Sequence, residues 1–269
     1  LTLFLFHCSR RAGRWMSVAA VCGLITSGCS PAPDSQGGPD HVLHDHPVLE
    51  HKFHQANQCV KNGQPAPALR LYAEISAQLA GTSHTDIFSN LFAGTVELRR
   101  GACLIELGRH QEARTILESM AMQRYLKAFD SATTYDYCLV YGNLLGSMKQ
   151  FNAMDALFRK GLAVATEELR DPEKVQEIWL ASLKWGRQSQ DWKYLEIQCR
   201  RALAYGRQNE DILVQHAASE AQCFADAGLG NFKKARKEIQ QVIQRMKKLH
   251  EPAQKIEDMR RLWESVAGK

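Results

Sequence analysis

Histidine and carboxylate crowd one short stretch of the sequence. His41, His44, His46, His51 and His54 fall within fourteen residues, with Asp40, Asp45 and Glu50 among them. Imidazole nitrogens and carboxylate oxygens together suit zinc, copper or nickel. His51 and His54 are three apart and would share a helix face, while His44 and His46 precede Pro47. Such a set would make the chain a metal-binding protein with a divalent transition metal as cofactor. The plainer expectation is a solvated polar linker running into a first helix and no cofactor, because the sequence identifies nothing that would orient a ligating imidazole.

The other chemically capable side chains form no recognisable machinery. Of eight cysteines, Cys8 and Cys22 lie in the N-terminal apolar region, and Cys29 follows Ser27-Gly28. The remaining Cys59, Cys103, Cys138, Cys199 and Cys223 are odd in number and lack CxxC spacing, which argues against a disulfide framework or a zinc ribbon. They read as small buried hydrophobes. No Gly-rich phosphate loop, HExxH helix or GxSxG elbow is present. His110, Glu112, Ser119 and Asp130 have no spacing that singles them out as a triad, so the chain is read as no enzyme. Lys233, Lys234, Arg236, Lys237, Arg245, Lys247 and Lys248 form a basic run relieved by Glu238. It is read first as a solvated helix face, with anionic headgroups or an acidic partner as its functional counterpart. Nucleic acid is not expected, because no base-reading element stands beside the run.

The N-terminus reads as an address. Arg10, Arg11 and Arg14 precede an apolar stretch from Trp15 to Ile25, and small residues follow. That order describes a secretory signal over 1–28, and the apolar stretch is about half of the ~20 residues that span a bilayer. Ser27-Gly28-Cys29 resembles the lipobox of bacterial lipoproteins, with Thr26 where Leu is usual. The resemblance implies a diacylglycerol on the Cys29 thiol and export to the periplasmic or cell-surface side of a membrane. Removing the three arginines takes the net charge from +5 to about +2, too little to imply nucleic acid. Ser30 to Pro39 has no apolar periodicity, so 29–46 reads as a lipidated Cys followed by a flexible, His-rich tether.

The elements that must position these residues follow from a recurring pattern. Asn62-Gly63-Gln64, Leu107-Gly108-Arg109, Met148-Lys149-Gln150, Ser189-Gln190-Asp191 and Leu229-Gly230-Asn231 each interrupt an apolar-periodic run, as tight helix–helix turns do. Five residues after each turn centre stands Ala68, Ala113, Met154, Leu195 or Ala235. Four further on stands Tyr72, Leu117, Phe158, Cys199 or Ile239, then after three more Ile75, Met120, Gly161, Ala202 or Val242. Offsets of four and three trace one stripe of a helix. Twelve residues before the first set come Ala56, Gly101, Gly142, Leu183 and Cys223, mostly small, where two helices would press together. Asp171-Pro172 reads as a helix start, and Pro252 as the start of a last helix ending near Val266.

This pattern resembles the tetratricopeptide repeat, which also carries aromatics after the turns where Phe151, Trp192 and Phe232 stand. Pro65 and His110 depart from it, and spacings of 45, 41, 41 and 40 residues exceed the ~34 of the standard repeat. Extended helices or longer connections are therefore expected, with a generic helical-hairpin solenoid as the near alternative. The resemblance implies an all-α, right-handed superhelical solenoid of about five antiparallel helix pairs over 47–249, closed by a capping helix and tail at 250–269. It further implies a concave groove lined by first helices, with Phe53, Asn57, Leu98, Asp136, Asn143, Lys184, Arg187, Glu220 and Phe224 on its wall. The expected function is a membrane-tethered scaffold or adaptor of the cell envelope, binding a peptide or helix of another envelope protein. The alternative is a metal-binding envelope protein using the His-rich segment.

Overall fold

The computed structural model describes residues 47–80 and 87–267. The expected signal over 1–28, Cys29, the expected tether and His41, His44 and His46 lie outside these residues. Among them the protein is all-α, with twelve α-helices, one π-helical turn and no strand. No helix among them is long and apolar enough to cross a membrane.

The chain divides into two compact units, Leu1–Leu144 and Leu145–Lys269. The first contains α1 (Pro47–Lys61), α2 (Pro65–Ala80), α3 (Ile87–Glu106), α4 (His110–Leu117), α5 (Met120–Tyr125) and most of α6 (Ser131–Ser147). The second contains α7 (Phe151–Ala163) with its π-helical end Val164–Glu168, α8 (Pro172–Ser189), α9 (Trp192–Gln208), α10 (Ile212–Gly228), α11 (Phe232–Lys248) and α12 (Ala253–Ala267).

Each of the five turns read from the sequence passes through one left-handed residue. Gly63, Gly108 and Gly230 take φ of +68°, +73° and +80°, while Lys149 and Gln190 take +62° and +58°. A left-handed residue after a helix lets its N–H reach back to carbonyls that have no partner within the helix. Thus the Gly63 N–H donates to the Val60 carbonyl at 2.9 Å and the Gln64 N–H to Cys59 at 2.8 Å. The chain then enters the next helix, and two helices joined so tightly lie antiparallel. Side-chain oxygens close several helix starts. Asp171 accepts from the Glu173 and Lys174 N–H groups, Asp191 from Tyr194 and Asp211 from Val214. The last helix begins at Ala253, one residue past Pro252.

Burial follows the stripe. Ala68, Ala113, Met154, Leu195 and Ala235 are fully buried, and so, nearly, are Tyr72, Leu117, Phe158, Cys199 and Ile239. Ala56, Gly101, Gly142, Leu183 and Cys223 on the first helices are buried too. A Cβ on Gly101 would come within 3.0 Å of the Leu117 side chain, so the small residue does set the approach of α3 to α4. All five described cysteines are free; Cys59 is half-buried and the rest buried.

The stripe fails at Met120, which is 83% exposed. After Leu117 the second helix stops, and Ser119 accepts the Met122 N–H at 3.0 Å, capping a new short helix. Met120 thereby becomes the first residue of α5, and Met122 takes the buried place. The local cap prevails over the longer stripe because it satisfies an N–H that the start of α5 would otherwise leave unpaired.

Candidate functional site

The first helices were expected to carry the binding wall, and the two units treat their residues differently. In the first unit, Phe53 of α1 is half-buried and meets Tyr72 and Phe92 edge-on at 5.8 and 5.4 Å. Phe92 belongs to α3, so α1 and α3, two successive first helices, touch through these rings. Asn57 accepts a hydrogen bond from the Tyr72 hydroxyl through Oδ1. Asp136 and Asn143 are half-buried on α6, and Asn143 donates to its own helix at Leu139 over 2.9 Å.

Leu98 corrects the expected wall: it is 2% exposed. A Cβ on Gly94, one turn earlier on the same helix face, would collide with Phe129 and Tyr125, which belong to the α5 region. That inserted segment covers this side of α3, and Leu98 serves the core instead of an open surface.

In the second unit three of the expected residues come together. Arg187 of α8 reaches across to α10, where its Nη1 donates to Glu220 Oε1 at 2.9 Å. Its guanidinium lies over the Phe224 ring, 4.0 Å from the centroid. Glu220 and Phe224 are one turn apart on α10, which places carboxylate and ring under one cation. Both partners remain within reach of solvent, with side-chain exposures of 40% for Arg187 and 23% for Glu220. Lys184, nearly one turn before Arg187, holds its ammonium 4.9 Å from the Trp185 ring centroid. Although Lys184 keeps exposed area, partial desolvation lowers its pKa from the ordinary lysine value. The arrangement offers a fixed cation, an aromatic edge and a carboxylate on one wall. Groups of these kinds can hydrogen-bond backbone carbonyls or carboxylates and pack on apolar side chains.

A polar cluster adjoins these residues on α10. Asp226, two residues after Phe224, is fully buried and accepts from Gln222, Asn231 and Lys234 at 2.9, 3.3 and 3.1 Å. Desolvation and the adjoining Asp226 push the Glu238 carboxyl up to about 7. Burial raises Cys199 and Cys223 to about 12, which leaves both as inert thiols. A second polar tie joins α7 to α9, with Tyr194 and Gln198 donating to Asp155 at 3.1 and 2.9 Å.

The remaining sequence candidates are dispersed. His51 and His54 are exposed on α1, with His54 Nε2 3.6 Å from Glu50. Among the described residues no group of three or more His, Cys, Asp or Glu is arranged to hold a metal ion. Glu112 pairs with Arg109, Ser119 caps α5, and Asp130 accepts from the Thr133 N–H, so each has a structural task. The buried Asp226–Lys234–Glu238 group was not foreseen. Its only sequence signal was an Asp between Ala225 and Ala227 in an otherwise apolar turn, eight residues before a Lys.

No protein-family model matches the chain, and no curated protein matches it in sequence.

Proposed function

We propose that this chain is an exported scaffold or adaptor of the cell envelope, built as a right-handed solenoid of tetratricopeptide type and tethered to a membrane through lipid on Cys29. Its first helices bind a peptide or helix of another envelope protein. Five hairpins in one register over 47–249, with 250–269 as the closing helix and tail, support the architecture. Ser27-Gly28-Cys29 at the end of an apolar signal core supports the tether.

The observation that carries the binding reading is the Arg187–Glu220–Phe224 group. Arg187 uses one of its five N–H donors on Glu220. The stack on Phe224 fixes the guanidinium plane, so a partner carbonyl or carboxylate meets donors already oriented. Arginine and aromatic anchors of this kind commonly dominate a binding surface, each costing about 2 kcal/mol or more when truncated.

The test is made in the protein's own host, with metabolic labelling by a palmitate analogue followed by crosslinking and affinity capture. Wild type is expected to carry lipid and to recover one envelope protein. Cys29→Ser is expected to lose the lipid, and Phe224→Ala to lose the partner while keeping the lipid. Lipid persisting on Cys29→Ser would refute the tether. Undiminished capture by both Phe224→Ala and Arg187→Ala would refute the binding wall.

A further inference from the structure

At one end of the second unit, exposed aliphatic side chains and exposed cations share the same helix ends. Helices α10 and α11 have seventeen residues each and are joined by the turn at Leu229–Asn231, so the start of α10 and the end of α11 lie side by side. Consistent with this, the charges of Arg245 and Glu251 both act on His216 in the second turn of α10. The end of α9 joins them, because the Gln215 side chain donates to the Gly206 carbonyl at 2.7 Å.

Ile212 and Leu213 at the start of α10 and Leu249 at the end of α11 stand at this tip, with exposures of 64%, 58% and 50%. Seven large apolar side chains are exposed among the described residues, and the other four, Val48, Leu107, Met120 and Ile197, are scattered along the chain. Scattered exposed aliphatics need no explanation; three at one tip do. Arg207, Arg245, Lys247 and Lys248 are exposed around them and form no ion pair among the described residues. The acidic groups there are few. Glu251 is paired with Lys255 at 3.1 Å, Asp211 caps α10 and accepts from Gln176, and Glu210 is exposed.

We infer that this tip docks on an anionic lipid bilayer, with Ile212, Leu213 and Leu249 entering the interface and the four cations meeting headgroup phosphates. Both halves of the tip match that one surface. An anionic bilayer offers negative charge at the level of the cations and hydrocarbon just beneath, where aliphatic side chains leave water. Docking does not need the lipid on Cys29. It goes beyond the tether by fixing which part of the second unit faces the membrane.

The experiment uses the full chain carrying Cys29→Ser, so that no acyl group contributes. Co-sedimentation is measured with vesicles of phosphatidylglycerol and phosphatidylcholine, and with vesicles of phosphatidylcholine alone. Binding to the anionic vesicles only is expected. Arg245→Gln/Lys247→Gln/Lys248→Gln should weaken it by about a hundredfold, from about fivefold per basic residue near the surface. Ile212→Ser/Leu213→Ser/Leu249→Ser should weaken it by at least about tenfold. Lys193→Gln/Lys233→Gln, at the opposite end of α9 and α11, should bind as wild type. All these positions are exposed, and unchanged helical circular dichroism will show that the variants fold. Equal binding to both vesicle types, or an equal loss in the Lys193/Lys233 variant, would overturn the proposal. So would an apolar variant that binds normally, or one that abolishes self-association of the chain without changing vesicle binding. None of these outcomes touches the acylation of Cys29 or the Arg187–Glu220–Phe224 wall, which are assayed separately.

Discussion

The second unit keeps time and the first does not. From α7 onward, helices begin at Phe151, Pro172, Trp192, Ile212, Phe232 and Ala253, at intervals of twenty or twenty-one residues. A left-handed residue precedes each start, at Lys149, Arg170, Gln190, Glu210, Gly230 and His250. The connections between pairs are therefore as tight as those within them. In the first unit the helices run 15, 16, 20, 8, 6 and 17 residues. Its second pair is interrupted by the Ser119 cap, and α5 is inserted after it. The long repeat spacing thus has more than one origin: extended helices in the second unit, the 20-residue α3 between Gly63 and Gly108, and the interposed α5 between Gly108 and Lys149.

The difference matters for what each unit can offer. In the second unit α8 and α10 pack directly, and the polar side chains between them face the same wall. The first unit pairs its polar groups with one another. Asn57 is taken by Tyr72 of its own pair, Ser76 and Arg100 are tied to Glu97, and the Tyr141 hydroxyl donates to Glu118. Hydrogen bonds with Arg114 and Tyr141 hold the Glu118 carboxyl below its ordinary range. A shared register therefore fixes the core of both units, but only uninterrupted timing leaves a first-helix surface with groups to spare.

The sharpest way to break this comparison is at one register position. Ile75→Ala removes a fully buried side chain and should cost about 3 kcal/mol in urea unfolding. Met120→Ala, at the equivalent position of the interrupted pair, should change stability by less than about 0.5 kcal/mol. A similar cost at both would mean that the stripe persists through Ser119 in solution.

The buried acid pair should give the second unit a pH signature. Glu238 keeps its proton in the folded protein up to about 7, whereas the unfolded chain releases it near 4.5. Its contribution is then complete below pH ~4.5 and lost as pH rises through about 7, a fall on the order of 3 kcal/mol. Asp226 acts in the opposite sense. Hydrogen bonds from Gln222 and Lys234 outweigh desolvation and lower its pKa, so its contribution is lost as pH falls below 3.8. Maximum stability is expected at mildly acidic pH, and Glu238→Gln should flatten the decline toward neutral pH in urea titrations.

The smallest effects concern the turns. Glu210→Gly relieves a side chain held at φ +56° and should stabilise by up to about 1 kcal/mol. Gly63→Ala, with φ +68° and open space around it, should destabilise by about 1 kcal/mol through backbone conformation alone. Thermal midpoints moving in opposite directions will confirm that non-glycine turns in the second unit carry strain that the glycines of the first avoid.

Much of this was legible in the sequence wherever the stripe and the turn agreed. Gly63, Gly108 and Gly230 announce left-handed turns, and Asp171-Pro172 announces a helix start, because each residue type has one strong backbone preference. Arg170, Glu210 and His250 announce nothing: a left-handed arginine, glutamate or histidine is imposed by the helices packed on either side. The twenty-residue timing was hidden for that reason. Met120 misled because a one-residue cap outranks a distant apolar period, and Leu98 because a short helix from elsewhere in the chain lies over it. Register alone places Arg187, Glu220 and Phe224 on first helices. Their mutual contact depends on the crossing of α8 and α10, which no single helix encodes.

The most direct test of the account places a photo-crosslinking amino acid at position 224, with exposed position 193 at the start of α9 as control, in the full chain in its own host. The account predicts one discrete adduct with an envelope protein from position 224, none from 193, and loss of the adduct when Arg187→Ala is added. Equal adducts from both positions, or an adduct from 224 that survives Arg187→Ala, would contradict it.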